Sequence, residues 1–191
     1  MTKKTVLHIC CAVCLPGPLR ALQEEGFEVT GYFFNPNIHP LLEFRKRIKA
    51  VKVMNERLHI PIVYDERYGL WEFLDDLDGN FRGGRCELCY AHRLKRTARF
   101  AKENGFESFT STLLVSHEQD YEKVVSAGLE AARGEGVDFL VRDFRRLAVE
   151  GKDYAKRNNI YRQQYCGCVF SEYERYHNTG KELYKGGGGG K

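Results

Sequence analysis

The chain has 191 residues, 42% of them hydrophobic and 29% charged, which is ordinary for a folded globular protein and argues against a disordered one. Its longest apolar runs fall short of the roughly 20 residues that a membrane span needs, and its N-terminus lacks the pattern of a cleavable signal peptide. We therefore expect a cytoplasmic location without membrane contact. The net charge of +4 tolerates a polyanionic partner but does not indicate one.

Strand and helix patterns alternate along the chain. They predict strands over residues 5–9, 28–34, 60–64, 109–115 and 139–141, and helices over residues 18–25, 41–58, 68–77, 86–104 and 120–133. This alternation favours an α/β fold, a parallel sheet flanked by helices, in which ligands bind beyond the carboxyl ends of the strands. We expect one domain over residues 1–184 and a flexible glycine-rich tail over residues 185–191.

The seven cysteines are the most informative residues of the chain. Thiols stay reduced in the cytoplasm, so an odd number of cysteines there indicates metal binding or redox chemistry rather than structural disulfides. They form three groups: Cys10, Cys11 and Cys14; Cys86 and Cys89; Cys166 and Cys168. The first group follows the first predicted strand, which is where the topology rule places a binding site.

Cys86 and Cys89 are three residues apart at a predicted helix start, so both sulfurs lie on one face of its first turn. The exposed N–H groups of a helix start favour the thiolate form. The pair is a metal-ligand pair or a redox dithiol, with buried inert cysteines as a third interpretation. The presence of two further cysteine groups favours metal.

The other two groups leave more alternatives open. Three sulfurs within five residues suit a loop around a metal cluster, although on an extended segment one of Cys10 and Cys11 packs instead or binds a second metal. Cys166 and Cys168 flank Gly167, which permits both sulfurs to face one centre or each other; alternatively they are small apolar residues of a strand. Thiolate sites suit zinc as well as iron, but four zinc ligands leave three cysteines unexplained.

Polar residues after the second predicted strand are candidate substrate ligands. Asn37 and His39 lie on the side of the sheet where a site is expected, and Glu43 and Arg47 continue one helical face beyond them. His39 is equally well interpreted as a hydrogen-bonded loop histidine or a helix cap. The other five histidines have no metal-ligand spacing and are interpreted as core or surface residues.

Two later segments supply further candidates. Arg162, Gln163 and Tyr165 precede the third cysteine group, and they either contact a phosphate or a base or cap the sheet. Asp143 follows the last predicted strand and is a candidate oxygen ligand or proton donor. The alternative for Asp143 is a salt bridge with a neighbouring arginine.

Four segments together resemble the QueH family of epoxyqueuosine reductases. They are Leu-His-Ile-Cys-Cys-Ala-Val-Cys at 7–14, Asn-Pro-Asn-Ile-His-Pro at 35–40, Arg-Cys-Glu-Leu-Cys-Tyr at 85–90 and Tyr-Arg-Gln-Gln-Tyr-Cys-Gly-Cys at 161–168. The resemblance spans nearly the whole chain. The chain departs from the family pattern at Val13, where proline is frequent, and at His117 and Glu118, where Pro-Tyr is frequent. Neither departure removes an expected ligand.

This resemblance implies an adenine nucleotide alpha hydrolase-like (HUP) fold and the last step of queuosine biosynthesis. In that step the epoxide oxygen of epoxyqueuosine in tRNA is removed, here without cobalamin. The partners that it implies are the tRNA and an electron donor that the sequence does not identify.

The resemblance also implies a [4Fe-4S] cluster with an adjacent mononuclear iron. Its expected ligands are Cys10, Cys11, Cys86, Cys89 and the carboxylate of Asp143. The third cysteine group, together with Asp143, is expected to be catalytic. It either relays reducing equivalents as a redox disulfide or completes the metal shell.

Two other functions fit parts of the pattern. A tRNA-thiolating enzyme of related fold also pairs cysteines with a cluster, but it carries a Ser-Gly-Gly-rich phosphate loop where this chain has Cys-Cys-Ala-Val-Cys. The second alternative is a non-catalytic zinc module that binds RNA. ATP turnover stimulated by tRNA would favour the first alternative, and a colourless protein with stoichiometric zinc would favour the second.

Overall fold

A computed structural model describes residues 3–179, so the predicted tail lies outside the described residues. The strands are β1 (Lys3–His8), β2 (Phe27–Phe33), β3 (Ile62–Tyr64), β4 (Ser108–Ser111) and β5 (Asp138–Phe139). They form one sheet in the order β3-β2-β1-β4-β5, in which all neighbouring strands are parallel. The strand order reverses between β1 and β4, and in such sheets ligands bind beyond the strand ends at this point.

Helices flank the sheet. They are α1 (Pro16–Glu24), α2 (Leu41–Leu58), α3 (Leu70–Leu77), α4 (Arg85–Glu103), α5 (Tyr121–Glu135), α6 (Ala148–Arg157) and α7 (Val169–Tyr176). Val6 and Leu7 point to opposite faces of β1 and are both fully buried, as expected for a parallel sheet that is covered on both faces. The predicted α/β fold is confirmed, and the topology agrees with a HUP-like fold. Between residues 3 and 179, no helix has both the length and the apolar character to cross a membrane.

The chain leaves the sheet earlier than predicted after β4. The predicted strand over residues 109–115 ends at Ser111 and continues as a short 3-10 helix, Thr112–Val115. The Ser111 hydroxyl accepts a hydrogen bond from Leu113 N at 3.1 Å, which turns the chain out of the sheet. This turn places Thr112 beside the end of β1, where its Oγ1 accepts a hydrogen bond from Cys10 N at 2.9 Å.

The helices α6 and α7 were not predicted. α6 contains Gly151, which weakens a helical pattern, and α7 has only eight residues and is capped by a cysteine. A Cβ at Gly151 would overlap the carbonyl oxygen of Val13, so glycine allows α6 to pack against the loop after β1. Both helices therefore belong to the surroundings of the cysteines.

His8 joins the carboxyl ends of the three central strands. Its Nε2 donates to the carbonyl oxygen of Phe34, after β2, at 3.1 Å, and its Nδ1 accepts from the Ser111 hydroxyl at 2.8 Å. Burial lowers the pKa of His8 to about 4, which keeps the ring neutral. The strand ends that carry the candidate site are thus fixed to one another by a core histidine.

Candidate metal and redox site

The loop after β1 brings three sulfurs together. The Sγ atoms of Cys10, Cys11 and Cys14 all lie within 4.8 Å of one another. The Sγ atoms of the adjacent Cys10 and Cys11 are 3.8 Å apart, because the chain bends at this point instead of being extended. The prediction that the side chains of Cys10 and Cys11 point to opposite sides of an extended segment is therefore wrong. Cys11 and Cys14 are buried, and Cys10 is half-buried.

Hydrogen bonds distribute the protons of this triad unequally. Cys10 and Cys14 donate to Cys11, and these bonds hold the pKa of the Cys11 thiol well below its ordinary value. Gln163 Nε2 donates to the same sulfur at 2.9 Å. The bond to Cys11 raises the pKa of Cys10 to about 11, and donation to both neighbours raises that of Cys14. These hydrogen bonds favour the thiolate form at Cys11 over the thiolate forms at Cys10 and Cys14, whose protons a metal would displace.

Cys86 and Cys89 lie at the start of α4. Gly84 caps this helix with a φ of 72°, a left-handed conformation that suits glycine, so the helix begins at Arg85 as the spacing predicted to within one residue. Burial raises the pKa of both thiols, that of Cys89 to about 12. Burial therefore outweighs the preference for thiolates that was expected of the helix start. A metal cation can supply the missing stabilisation of the thiolates.

Cys166 and Cys168 lie in the loop before α7, so their interpretation as strand residues is wrong. Cys168 is the N-cap of α7, and its Sγ accepts a hydrogen bond from Ser171 N at 3.4 Å. Cys166 Sγ accepts from Gln119 Nε2 at 3.3 Å. All seven cysteines are free thiols.

Two adjoining cavities are lined by all seven cysteines. The Cys10 cavity, of about 250 Å³, includes Cys10, Cys11, Cys14 and Cys166 in its wall. The Cys86 cavity, of about 310 Å³, includes Cys86, Cys89, Cys166 and Cys168. Both cavities are lined by Asn37, Arg93, Glu118, Gln119, Tyr165, Cys166 and Arg175. Cys166 therefore lies at the junction of the two cavities, and the third cysteine group connects the other two.

A buried ion pair on α2 holds the segment that carries the third cysteine group, residues 161–168. Arg47 Nε donates to Glu43 Oε1 at 2.6 Å, and the two side chains are only 3% and 7% exposed. The same guanidinium donates to the carbonyl oxygens of Tyr165 and Cys166 at 2.9 and 2.7 Å. Tyr161 Oη donates to Glu43 Oε2 at 2.6 Å. Glu43 and Arg47, candidate substrate ligands in the sequence, thus bind this segment.

The structure brings three of the five predicted substrate-binding residues to the cavities. Gln163 lines the Cys10 cavity, and Asn37 and Tyr165 line both. Arg162 is exposed and lines neither cavity. His39 lines neither cavity either, because its ring packs against Tyr68 and Phe73, with centroid distances of 5.7 and 5.1 Å. The backbone of His39 bonds to the 161–168 segment through its N–H, which donates to Gly167 O at 2.8 Å.

Asp143 forms a salt bridge with its neighbour Arg145. Its carboxylate accepts hydrogen bonds from Arg145 Nε and Nη2 at 2.8 and 2.6 Å, and the side chain is 46% exposed. These bonds lower the pKa of Asp143 to about 2. It lines neither cavity, and it does not belong to the cluster of converging sulfurs. The geometry corresponds to the salt-bridge alternative, because a partner two residues along the chain is within reach.

Two residues at the junction were missed in the sequence. Arg93 follows Cys89 by four residues, and this spacing, which places both on one face of α4, was the available signal. Gln119 contacts Cys166 across 47 positions of sequence, a distance at which local patterns carry no information. Both side chains line both cavities.

The fold is expected to weaken as the pH falls from about 6.5 towards 4. Burial lowers the pKa of His39 from 6.5 to about 4, so the unfolded chain binds a proton in this range that the folded chain does not. The free energy of unfolding should fall by on the order of 1 kcal/mol between pH 7 and pH 5 through this histidine. Urea unfolding of His39→Gln should show a smaller pH difference than the parent, and the exposed His177→Gln the same difference. If the free energy of unfolding changes between pH 7 and pH 5 by as much in His39→Gln as in the parent, then His39 is not a source of this pH dependence.

The family profile and the curated relatives agree on one family. A profile of the family described as epoxyqueuosine reductase QueH matches residues 5–174. The epoxyqueuosine reductase QueH of Dehalococcoides mccartyi is 36% identical over 176 residues, which cover 92% of this chain and 96% of that protein. The protein of the same name from Thermotoga maritima is 35% identical over 178 residues, 89% of this chain and 91% of that protein. A solved structure described as a predicted tRNA methyltransferase subunit of Methanocaldococcus jannaschii superposes with a TM-score of 0.49 at 10% identity, covering 82% of this chain and 88% of that one.

Proposed function

The chain belongs to the epoxyqueuosine reductase QueH family, and on this premise we propose that it removes the epoxide oxygen of epoxyqueuosine in tRNA to give queuosine. The observation that carries the proposal is the junction of the two cavities, on which the three cysteine groups converge. A reductive oxygen removal needs a source of electrons and protons beside a pocket for the reacting ring, and this junction offers both.

The third cysteine group matches the electron count of the reaction. Conversion of an epoxide to an alkene breaks two C–O bonds and releases the oxygen as water, which consumes two electrons and two protons. Oxidation of Cys166 and Cys168 from two thiols to a disulfide releases two of each. Desolvation of its sulfur raises the pKa of Cys166, which favours the protonated thiol. We assign these two cysteines as the redox pair, which an external electron donor must reduce again.

The first two groups are suited to an iron-sulfur centre. We assign Cys10, Cys11, Cys86 and Cys89 as ligands of a [4Fe-4S] cluster with an adjacent mononuclear iron, in a protein that uses no cobalamin. A donor set made of sulfur alone favours iron-sulfur clusters or zinc over magnesium or calcium. When bound, the cluster supplies electrons and an iron with an open position acts as a Lewis acid. In the present arrangement Asp143 does not support the role of carboxylate ligand, because Arg145 occupies both of its oxygens.

Side chains around the first group orient its sulfurs. Thr112 Oγ1 accepts from Cys10 N at 2.9 Å and lies 3.2 Å from Cys10 Sγ, to which it donates. Gln163 Nε2 donates to Cys11 Sγ at 2.9 Å. Hydrogen bonds of this kind fix the direction of a ligand, and at Cys11 the pKa is also lowered, which favours the thiolate form. The chain thus prepares Cys10 and Cys11 for a metal before one is bound.

The reduced protein is expected to convert epoxyqueuosine to queuosine in tRNA. The measurement is anaerobic incubation of iron-loaded protein with tRNA carrying epoxyqueuosine and a strong reductant, followed by nucleoside analysis by mass spectrometry. Each protein molecule should form many molecules of queuosine-containing tRNA, and no ATP should be needed. Reductant and tRNA without protein serve as the control. Absence of conversion by fully loaded, reduced protein would contradict the proposal.

The two alternative functions predict different results in the same preparation. A thiolating enzyme would consume ATP in response to tRNA and would add sulfur to a nucleoside. A zinc module that binds RNA would be colourless, would contain stoichiometric zinc and would leave the nucleosides unchanged. A brown protein with broad visible absorption, which turns over without ATP, excludes both.

A further inference from the structure

Three side chains at the junction of the cavities carry buried polar atoms without a hydrogen-bond partner. Among residues 3–179, Asn37 Oδ1, Arg93 Nη2 and Gln119 Oε1 have no partner, although each residue lines both cavities. They come from three different parts of the fold: the loop after β2, the helix α4 and the loop before α5. Their convergence is therefore not the consequence of one local distortion.

Unpaired buried polar atoms are uncommon, since more than nine in ten are paired in native proteins. The free-energy cost of burying an unpaired polar atom is largest for Arg93, because its side chain is a cation and the residue is only 2% exposed. Its Nε donates to Cys89 O at 3.2 Å, and no ion pair with a carboxylate accompanies it in the described chain. By contrast, the equally buried Arg47 is fully engaged by Glu43 and two carbonyl oxygens.

The missing partners define the chemistry of a ligand. The Arg93 N–H is a donor and needs an acceptor, whereas the two amide oxygens are acceptors and need donors. An epoxide oxygen carries no hydrogen and can only accept, while hydroxyl groups donate. A ring that carries an epoxide beside hydroxyl groups satisfies all three atoms at once.

We propose that Asn37, Arg93 and Gln119 form the subsite for the epoxide-bearing ring, with Arg93 donating to the epoxide oxygen and the two amide oxygens accepting from hydroxyl groups of the substrate. This inference rests on the proposed function. Gln119 Nε2 also bonds to Cys166 Sγ, so the subsite places the ring next to the assigned redox pair. Arg93 then also stabilises negative charge on the oxygen as its bonds to carbon break.

The test compares the binding of two tRNAs, one carrying epoxyqueuosine and one carrying queuosine, which lacks the epoxide oxygen. Binding is measured on iron-loaded protein in which the assigned redox pair has first been oxidised to the disulfide and to which no reductant is added, so that no electrons are available for turnover. The parent protein should prefer the epoxide by at least about tenfold, because a hydrogen bond from a charged donor is at stake. Arg93→Met should lose this preference and keep its iron content and visible spectrum. The exposed Arg99→Met, on the same helix, should retain the preference.

A second variant keeps the test valid if Arg93→Met does not fold. Gln119→Leu removes an acceptor for hydroxyl groups, which both tRNAs carry, so it should weaken both by a similar factor of about five or more and keep the preference. The subsite is refuted if Arg93→Met retains the preference, if the parent shows none, or if Gln119→Leu binds both tRNAs as the parent does. If Arg93→Met loses iron but still prefers the tRNA with the epoxide, the subsite is refuted, and the role of Arg93 is to balance the negative charge of the cysteine ligands. Conversion of epoxyqueuosine by the parent in a parallel assay with reductant tests the proposed function separately.

Discussion

Replacement of Arg47 by methionine is expected to lower the free energy of unfolding by about 3–5 kcal/mol. The variant leaves the carboxylate of Glu43 buried without its counter-ion, and it removes two hydrogen bonds to the 161–168 segment. The measurement is chemical unfolding under anaerobic conditions. Because this segment carries Cys166 and Cys168, alkylation of these two thiols in the folded protein should also become faster.

Two variants make this first prediction specific. Arg45→Met removes an exposed arginine from the same helix and should change the free energy of unfolding by less than about 0.5 kcal/mol. The double variant Glu43→Gln, Arg47→Met removes both charges and should recover part of the loss, since the buried charge is then gone. If Arg47→Met unfolds like Arg45→Met, then the ion pair does not hold the segment.

Substitutions in the second and third cysteine groups are expected to separate metal binding from turnover. Cys86→Ala and Cys89→Ala should lose most of the bound iron, because each removes an assigned ligand. Cys168→Ser should retain iron and lose multiple turnover, since serine cannot form a disulfide. Serine is also a favourable N-cap, so α7 should keep its start. Iron analysis and nucleoside mass spectrometry on the same preparations measure both quantities.

Cys14→Ser is the control for these cysteine substitutions. Cys14→Ser changes a sulfur that the assignment leaves outside the cluster, so it should retain more iron than Cys86→Ala. Equal iron loss in Cys86→Ala, Cys89→Ala and Cys168→Ser would move the third cysteine group into the metal shell. Full turnover by Cys168→Ser would remove that group from the electron path.

The parts of the fold that depend on local patterns were predictable from the sequence. The strands predicted over residues 5–9 and 28–34 end within one residue of β1 and β2, and the rule for parallel sheets then places Cys10 and Asn37 at one edge. The start of α4 was predictable for the same reason, because glycine precedes a helical pattern there.

The rest of the site depends on contacts between residues far apart in the chain. Arg47 reaches Cys166 across 119 positions, and Gln163 reaches Cys11 across 152, and no local pattern announces either contact. Asp143 illustrates the opposite case: its place after β5 was predictable, and so was its pairing with an arginine two residues away, because both depend on local sequence. The signal for α6 was weak because Gly151 serves packing rather than helix formation.

Anomalous diffraction at the iron edge, from crystals grown anaerobically, tests most directly whether the separate cysteine groups share one iron-sulfur centre. We expect iron peaks bonded to Cys10, Cys11, Cys86 and Cys89, with Cys166 and Cys168 beside the cluster and free of metal. A single peak at the zinc edge, with no iron peak near these four sulfurs, would contradict the account.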